Sequence, residues 1–417
     1  MTRYISTRGG APAVDFLGAA LNGLAPDGGL YVPETWPTLS RDRIAALAGR
    51  PYAEAAAEIV GLFAGQAVAP ADLLAMCEEA YAGFGHAAVA PLKQLSPGGF
   101  LLELFHGPTL AFKDVALQLL ARLYEHALAR LDRRLTIVCA TSGDTGGAAV
   151  EAFRGRAGVR IVALYPEGRI SEVQRRYMTT AAEDNVACLA VAGDFDDCQA
   201  MLKAMFQDAQ FASAVDLAGV NSINFARIAA QCVYYFTAAA ALGAPARKVA
   251  FCAPSGNFGD AYAGYAATRL GLPIERIVVA VNANDILCRA LSSGRYARGS
   301  AIATSSPAMD IQAASNFERL YFEAVGRDAA ETRRAFEAFG AAGAIDIPAA
   351  ALAEMRALFV SAAVSEDETR RTMLATLKET GELVDPHTAV GLAAAARVGP
   401  AQPTTPMVTL ATAHPAK

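Results

Sequence analysis

The sequence predicts an α/β protein, with a mainly parallel sheet flanked on both faces by helices and a mostly helical segment in front of it. Three observations carry this. From about Phe100 onward, six short apolar runs have strand length and β-branched content: LTIVCA, VRIVALYP, VACLAVAG, KVAFCAPS, RIVVAVN and PMVTLATA. Amphipathic stretches such as DDCQAMLKAMFQDAQF and NFARIAAQCVYYFTAAAAL lie between them, and strand followed by helix, repeated, argues parallel pairing. The 417 residues exceed what one ordinary core holds and suit two domains with an appendage.

The appendage comes first. ALNGLAPDGGLYVPETWP is rich in turn residues, and PYAEAAAEIVGLFAG and ADLLAMCEEAYAGF repeat apolar residues near the helical period. Hydrophobic residues make up 53% and charged residues 18%, which supplies ample core and excludes a disordered chain. A net charge of -5 removes any general electrostatic reason to bind nucleic acid or acidic lipid. The seven cysteines form no C-x-x-C and most sit in apolar runs, as buried free thiols in a reducing compartment do. No basic start precedes an apolar stretch, and no apolar run reaches the roughly 18 residues of a membrane span. The expectation is a cytoplasmic protein, monomer or homodimer, with no membrane or nucleic-acid partner. The five histidines show no metal-ligand spacing, so no metal is expected.

In such folds ligands sit in the loops after the carboxyl ends of strands. Two of these loops stand out. LTIVCA runs into Thr141-Ser142-Gly143-Asp144-Thr145-Gly146-Gly147, and KVAFCAPS into Ser255-Gly256-Asn257-Phe258-Gly259-Asp260. Small and hydroxyl residues at a helix start let backbone N–H groups converge on an anion, though the same residues also serve as ordinary N-caps. Neither loop is a nucleoside-triphosphate or dinucleotide fingerprint, and no G-x-S-x-G elbow occurs. A third segment, ELFHGPTLAFKD, places one lysine, Lys113, at the head of an apolar helix. A cation there opposes the helix dipole, and desolvation would depress its pKa and favour Schiff-base chemistry. A solvated lysine at a helix start is the plainer reading of that spacing.

FHGPTLAFKD, TSGDTG, PSGNFGD and ATAHPAK, together with the opening YISTRG, GLAPDGGLYVP and the landmark Asn221-Ser222-Ile223-Asn224, resemble the threonine synthase family. The resemblance spans essentially the whole chain. It implies a fold type II pyridoxal 5'-phosphate (PLP) enzyme with two open, mainly parallel sheets. The implied domains are an N-terminal segment 1–95, a large PLP-binding domain 96–130 plus 215–417, and a smaller α/β domain 131–214. It implies Lys113 as the Schiff-base lysine and catalytic residue. Gly256, Asn257, Phe258, Gly259 and Asp260 would form the cofactor-phosphate loop, with Thr412 beside the pyridine nitrogen and Asp144 near the cofactor. Ser142, Thr145, Asn221, Ser222 and Asn224 would meet the substrate. Its phosphate needs cations, for which Arg169, after VRIVALYP and a turn, and Arg227, at the start of a helical run, are the candidates, each equally readable as a surface arginine. Arg169 stands where many relatives carry Lys. The family usually continues past AHPAK with a helical segment. The implied reaction converts O-phospho-L-homoserine and water to L-threonine and phosphate. A phospho-lyase giving 2-oxobutyrate and a catalytically inactive binder are the alternatives.

Overall fold

A computed structural model describes residues 2–141 and 143–417. All six apolar runs are strands. They divide between two sheets, so the chain has two layers of parallel pairing rather than one. The larger sheet has six strands in the order Phe359–Ala363, Ile274–Val281, Val249–Pro254, Met407–Ala411, Gly99–Glu103 and Leu92–Ser96. Its pairs are parallel except the last, an antiparallel hairpin. The smaller sheet has four strands in the order Val186–Val191, Val159–Pro166, Leu135–Ala140 and Leu217–Ala218, all parallel. Leu217–Ala218 lies past the expected boundary at 214; two residues are too short to register as an apolar run.

The strands Val249–Pro254 and Ile274–Val281 are apolar without alternation because helices cover both faces. Helix Phe225–Ala241 explains its own position in the same way. It is Ala-rich and apolar around its whole circumference, and every residue but Thr237 and Ala241 is buried. The N-terminal segment folds as helices Tyr52–Ala64 and Pro70–Tyr81, with a two-stranded ribbon, Tyr4–Ser6 against Tyr31–Pro33, ahead of them. It packs on the core through Phe225, whose ring lies 5.1 Å from Tyr4 and 5.4 Å from Phe63.

Chain order and parallel register put three loops side by side. Gly99–Glu103, Met407–Ala411 and Val249–Pro254 are neighbours running in one direction, so the segments after Glu103, Ala411 and Pro254 emerge at the same sheet edge. These segments carry Lys113, Thr412 and Gly256–Asp260.

Candidate active site

The segment leading to Lys113 is built around a buried carboxylate. Asp114 accepts the Thr109 N–H at 2.7 Å and the Thr109 hydroxyl at 2.7 Å. Gly107 crosses so close above it that a β-carbon would collide with the Asp114 side chain. Burial pushes the Asp114 carboxyl up to about 6. Leu110 is held at φ +58°, a left-handed conformation costly for a side chain with a β-carbon. Its restraint is the strand end beside it: Ala111 bridges Ala413, the Phe112 N–H donates to Thr412 O at 2.9 Å, and the His414 N–H donates to Leu110 O at 3.0 Å. Lys113 and Thr412 are thereby fixed next to each other.

Lys113 opens helix Lys113–Leu131 with its side chain 12% exposed. Desolvation drives its ammonium down to about 8; Asp144 opposes this, while Lys417 and Arg227 add to it. Its Nζ lies 3.9 Å from Asp144 Oδ2. Asp144 heads helix Asp144–Phe153 after the strand of the smaller sheet, so the site lies between the carboxyl ends of strands from both sheets. Burial alone would raise the Asp144 carboxyl, but the Lys113 and Lys417 cations overcome that and hold it well below the usual range. Lys417 donates to Asp144 Oδ1 at 2.7 Å.

The Gly256–Asp260 loop bends at a residue the sequence does not single out. The left-handed residue is Phe258, at φ +62°, and not a glycine. Phe258 tolerates this because its ring is fully buried against Phe317 and Phe359. Gly256 is needed for space: a β-carbon would stand 2.8 Å from Ala308 O and 2.9 Å from Ile311 Cγ1. Helix Gly259–Arg269 then begins with no side-chain cap, which leaves N–H groups of its first turn for a ligand. Asn257 is steadied from behind, its carbonyl accepting from Asn316 N at 3.0 Å and its Oδ1 from Ser315 Oγ at 3.2 Å. The Asp260 side chain turns inward to the hydroxyls of Tyr234 and Tyr235, so only its backbone belongs to the loop.

The remaining expected residues separate into groups. Thr145 is half-buried on the first turn of its helix, and Ser142 lies outside the described residues. Asn221 is exposed, and Ser222 touches Ser315 Oγ at 3.3 Å. Asn224 is corrected from a substrate contact to a structural cap. Fully buried, it accepts from Ala226 N at 3.0 Å and donates to Ala20 O and Tyr124 Oη, so its side chain is committed within the protein. Arg169 sits on an exposed turn with no side-chain partner among the described residues. Arg227 is buried instead, holds Val220 O at 3.0 Å and has an unpartnered Nε; burial pulls its guanidinium down to about 10. It is close enough to Lys113 to lower that group's proton affinity.

The comparisons with known proteins are consistent along the chain. Family models described as threonine synthase N terminus, pyridoxal-phosphate dependent enzyme and threonine synthase, C-terminal match residues 3–81, 84–362 and 388–417. A threonine synthase from Pseudomonas aeruginosa is 51% identical over 100% of this chain and 88% of its own length. The chain belongs to the threonine synthase family. A crystal structure of PLP-bound threonine synthase from Brucella melitensis superposes with a TM-score of 0.97 at 51% identity, covering 100% of this chain and 89% of that one. The yeast threonine synthase structure gives 0.94 at 38% identity, covering 100% and 88%. The fold is therefore type II, the cofactor is PLP, and the activity is that of a PLP-dependent lyase of amino-acid biosynthesis. The residues present fit that cofactor: a sheltered lysine of lowered proton affinity, an uncapped helix start made reachable by Gly256, and a neutral Thr412 beside the lysine.

Sequence reasoning missed Lys417, Asn316, Arg319 and His387. Arg319 is fully buried and joins Tyr31 O, Ile223 O and Asn316 Oδ1, tying the N-terminal ribbon to the cofactor loop. A buried arginine in an ordinary helix leaves no sequence signal. Lys417 stood in the quoted ATAHPAK motif, where a second lysine near a strand end was the available clue.

Proposed function

We propose that the chain converts O-phospho-L-homoserine and water to L-threonine and phosphate, with Lys113 as covalent anchor of the cofactor and as proton carrier. The observation that carries this is the Lys113 amine, sheltered from water and pushed down to about 8, beside both Asp144 and Thr412. PLP, when bound, supplies the electron sink for charge developed at Cα and Cβ. Lys113 Nζ, neutral in a fair fraction near pH 8, takes the proton from Cα and serves the later transfers within its reach. Backbone N–H groups of Gly256, Asn257, Phe258, Gly259 and Asp260 would hold the cofactor phosphate. The Thr412 hydroxyl, which carries no charge, would hold the pyridine nitrogen without keeping it protonated, which favours elimination and replacement over transamination. Asp144 orients Lys113 from the smaller sheet.

For the substrate, Thr145, Asn221 and Ser222 would line the approach, while Ser142, expected with them, lies outside the described residues. Arg227 is the better-supported phosphate ligand, because its unpartnered Nε is buried beside Lys113 while Arg169 is exposed. A division into a smaller domain of about 131–218, to include Leu217–Ala218, and the large domain would let closure of one on the other exclude water until the addition step. The cytoplasm is the proposed location, as monomer or homodimer, with no nucleic-acid or membrane partner; among the described residues no helix is long and apolar enough to cross a membrane. Incubation with O-phosphohomoserine, assaying threonine, 2-oxobutyrate and phosphate together, tests the reading. Threonine and phosphate in equal amounts are expected. 2-Oxobutyrate in place of threonine would make the protein a phospho-lyase, and no phosphate release would make it a binder.

A further inference from the structure

We propose that Lys417 is a positioning residue for Lys113: its ammonium occupies Asp144 Oδ1 and so withholds Asp144 from a full ion pair with the catalytic amine. The inference rests on the reading of Lys113 as proton carrier. Lys417 follows the strand that ends at Ala411, its N–H donating to His414 O at 3.2 Å. Its side chain is 7% exposed and crosses the Tyr177 ring at 5.6 Å. Gln174 Nε2 donates at 3.0 Å to the oxygen that Lys417 holds at 2.7 Å, so Oδ1 has two donors. Oδ2 faces Lys113 at 3.9 Å, beyond hydrogen-bond reach. A carboxylate satisfied on one oxygen gains less from drawing in a second cation.

The groups facing Lys113 are Asp144 from the smaller sheet's helix, Lys417 from the strand end, Arg227 from helix Phe225–Ala241, and Asp114 on its own helix. Asp144 also feels His387, from helix Pro386–Val398. Removing the Lys417 charge has two effects of the same sign. A cation beside Lys113 disappears, and Asp144 is freed to pair with it. Both make Lys113 hold its proton more tightly, and a protonated amine cannot accept the Cα proton.

The test compares Lys417→Met and Lys417→Arg in two measurements. One is the acidic limb of kcat for the holoenzyme, which reports the substrate complex, where Lys113 is released as a free amine. The other is the pH dependence of the rate at which cofactor-free protein takes up PLP, which needs a neutral Lys113 and no turnover. In Lys417→Met both midpoints move up by about one pH unit, equivalent to roughly tenfold slower uptake at neutral pH. Lys417→Arg stays near wild type. Unmoved midpoints in Lys417→Met, or equal movement in both variants, would overturn the assignment. A moved uptake midpoint in a protein that releases 2-oxobutyrate instead of threonine would overturn the functional reading and leave the Lys417 assignment standing.

Discussion

At the scale of single residues, the site is a small charge system closed to water. Lys113 sits among one strongly acidic carboxylate, one carboxyl pushed up, a second lysine and a buried arginine. Lys113→Ala should fold, lose the covalently bound cofactor's visible absorbance, and lower kcat by about a thousandfold or more, the scale of removing a positioned acid–base group; wild-type absorbance would contradict this. Arg227→Gln should cost about 2–4 kcal/mol in kcat/KM, as loss of a desolvated charge-assisted contact does, and Arg227→Lys should recover part. Arg169→Gln should cost far less, given its exposed turn. Steady-state kinetics that reverse this order would move the substrate phosphate to Arg169. Lys113 was singled out in the sequence through the FHGPTLAFKD resemblance; its place at an apolar helix head alone left a solvated lysine as the plainer reading. Asn224 was misread because a cap and a ligand contact use the same side chain, and only the partners tell them apart.

Among the secondary-structure elements, the cofactor loop shows what sequence carries and what it omits. SGNFGD at the end of an apolar strand announced a helix start open to an anion, and helix Gly259–Arg269 begins there. Which residue would bend left-handed was not announced, because the packing that holds Phe258 comes from Phe317 and Phe359, far along the chain. Gly256→Val should raise the PLP dissociation constant well above any change in substrate KM, since the new side chain meets Ala308 O and Ile311. Equilibrium binding of PLP unchanged by the substitution would rule out this tight approach. The same loop's Asp260 gives a pH test. Burial pushes its carboxyl up to about 7, so the folded state binds this proton more tightly than the unfolded chain, whose Asp value is about 4. Its contribution to stability is therefore present at low pH and lost as pH rises toward and through 7. Asn keeps an acceptor for Tyr234 and Tyr235 without a charge. The melting-temperature difference between Asp260→Asn and wild type should move in the variant's favour between pH 5 and pH 8; a difference constant with pH would contradict it.

Taken whole, the molecule assembles its site from distant stretches: the segment before Lys113, Asp144 on the smaller sheet, Arg227, the Gly256 loop and the chain after Ala411. Strand-to-helix alternation made the α/β class and the six apolar runs readable. The split into two sheets was implied only by family resemblance, because a parallel strand's sequence does not say which neighbour it pairs with. The hairpin Leu92–Ser96 with Gly99–Glu103 and the edge strand Phe359–Ala363 escaped the pattern, being short and only partly buried. The central claim is that this assembly exists to hold the cofactor on Lys113. Of the six lysines, only Lys113 and Lys417 are sheltered, and both lie beside Asp144. Borohydride reduction of the holoprotein followed by peptide mapping decides between them directly. The account predicts the cofactor fixed on the peptide containing Lys113 and on no other; label on Lys417, or on any exposed lysine, would contradict it.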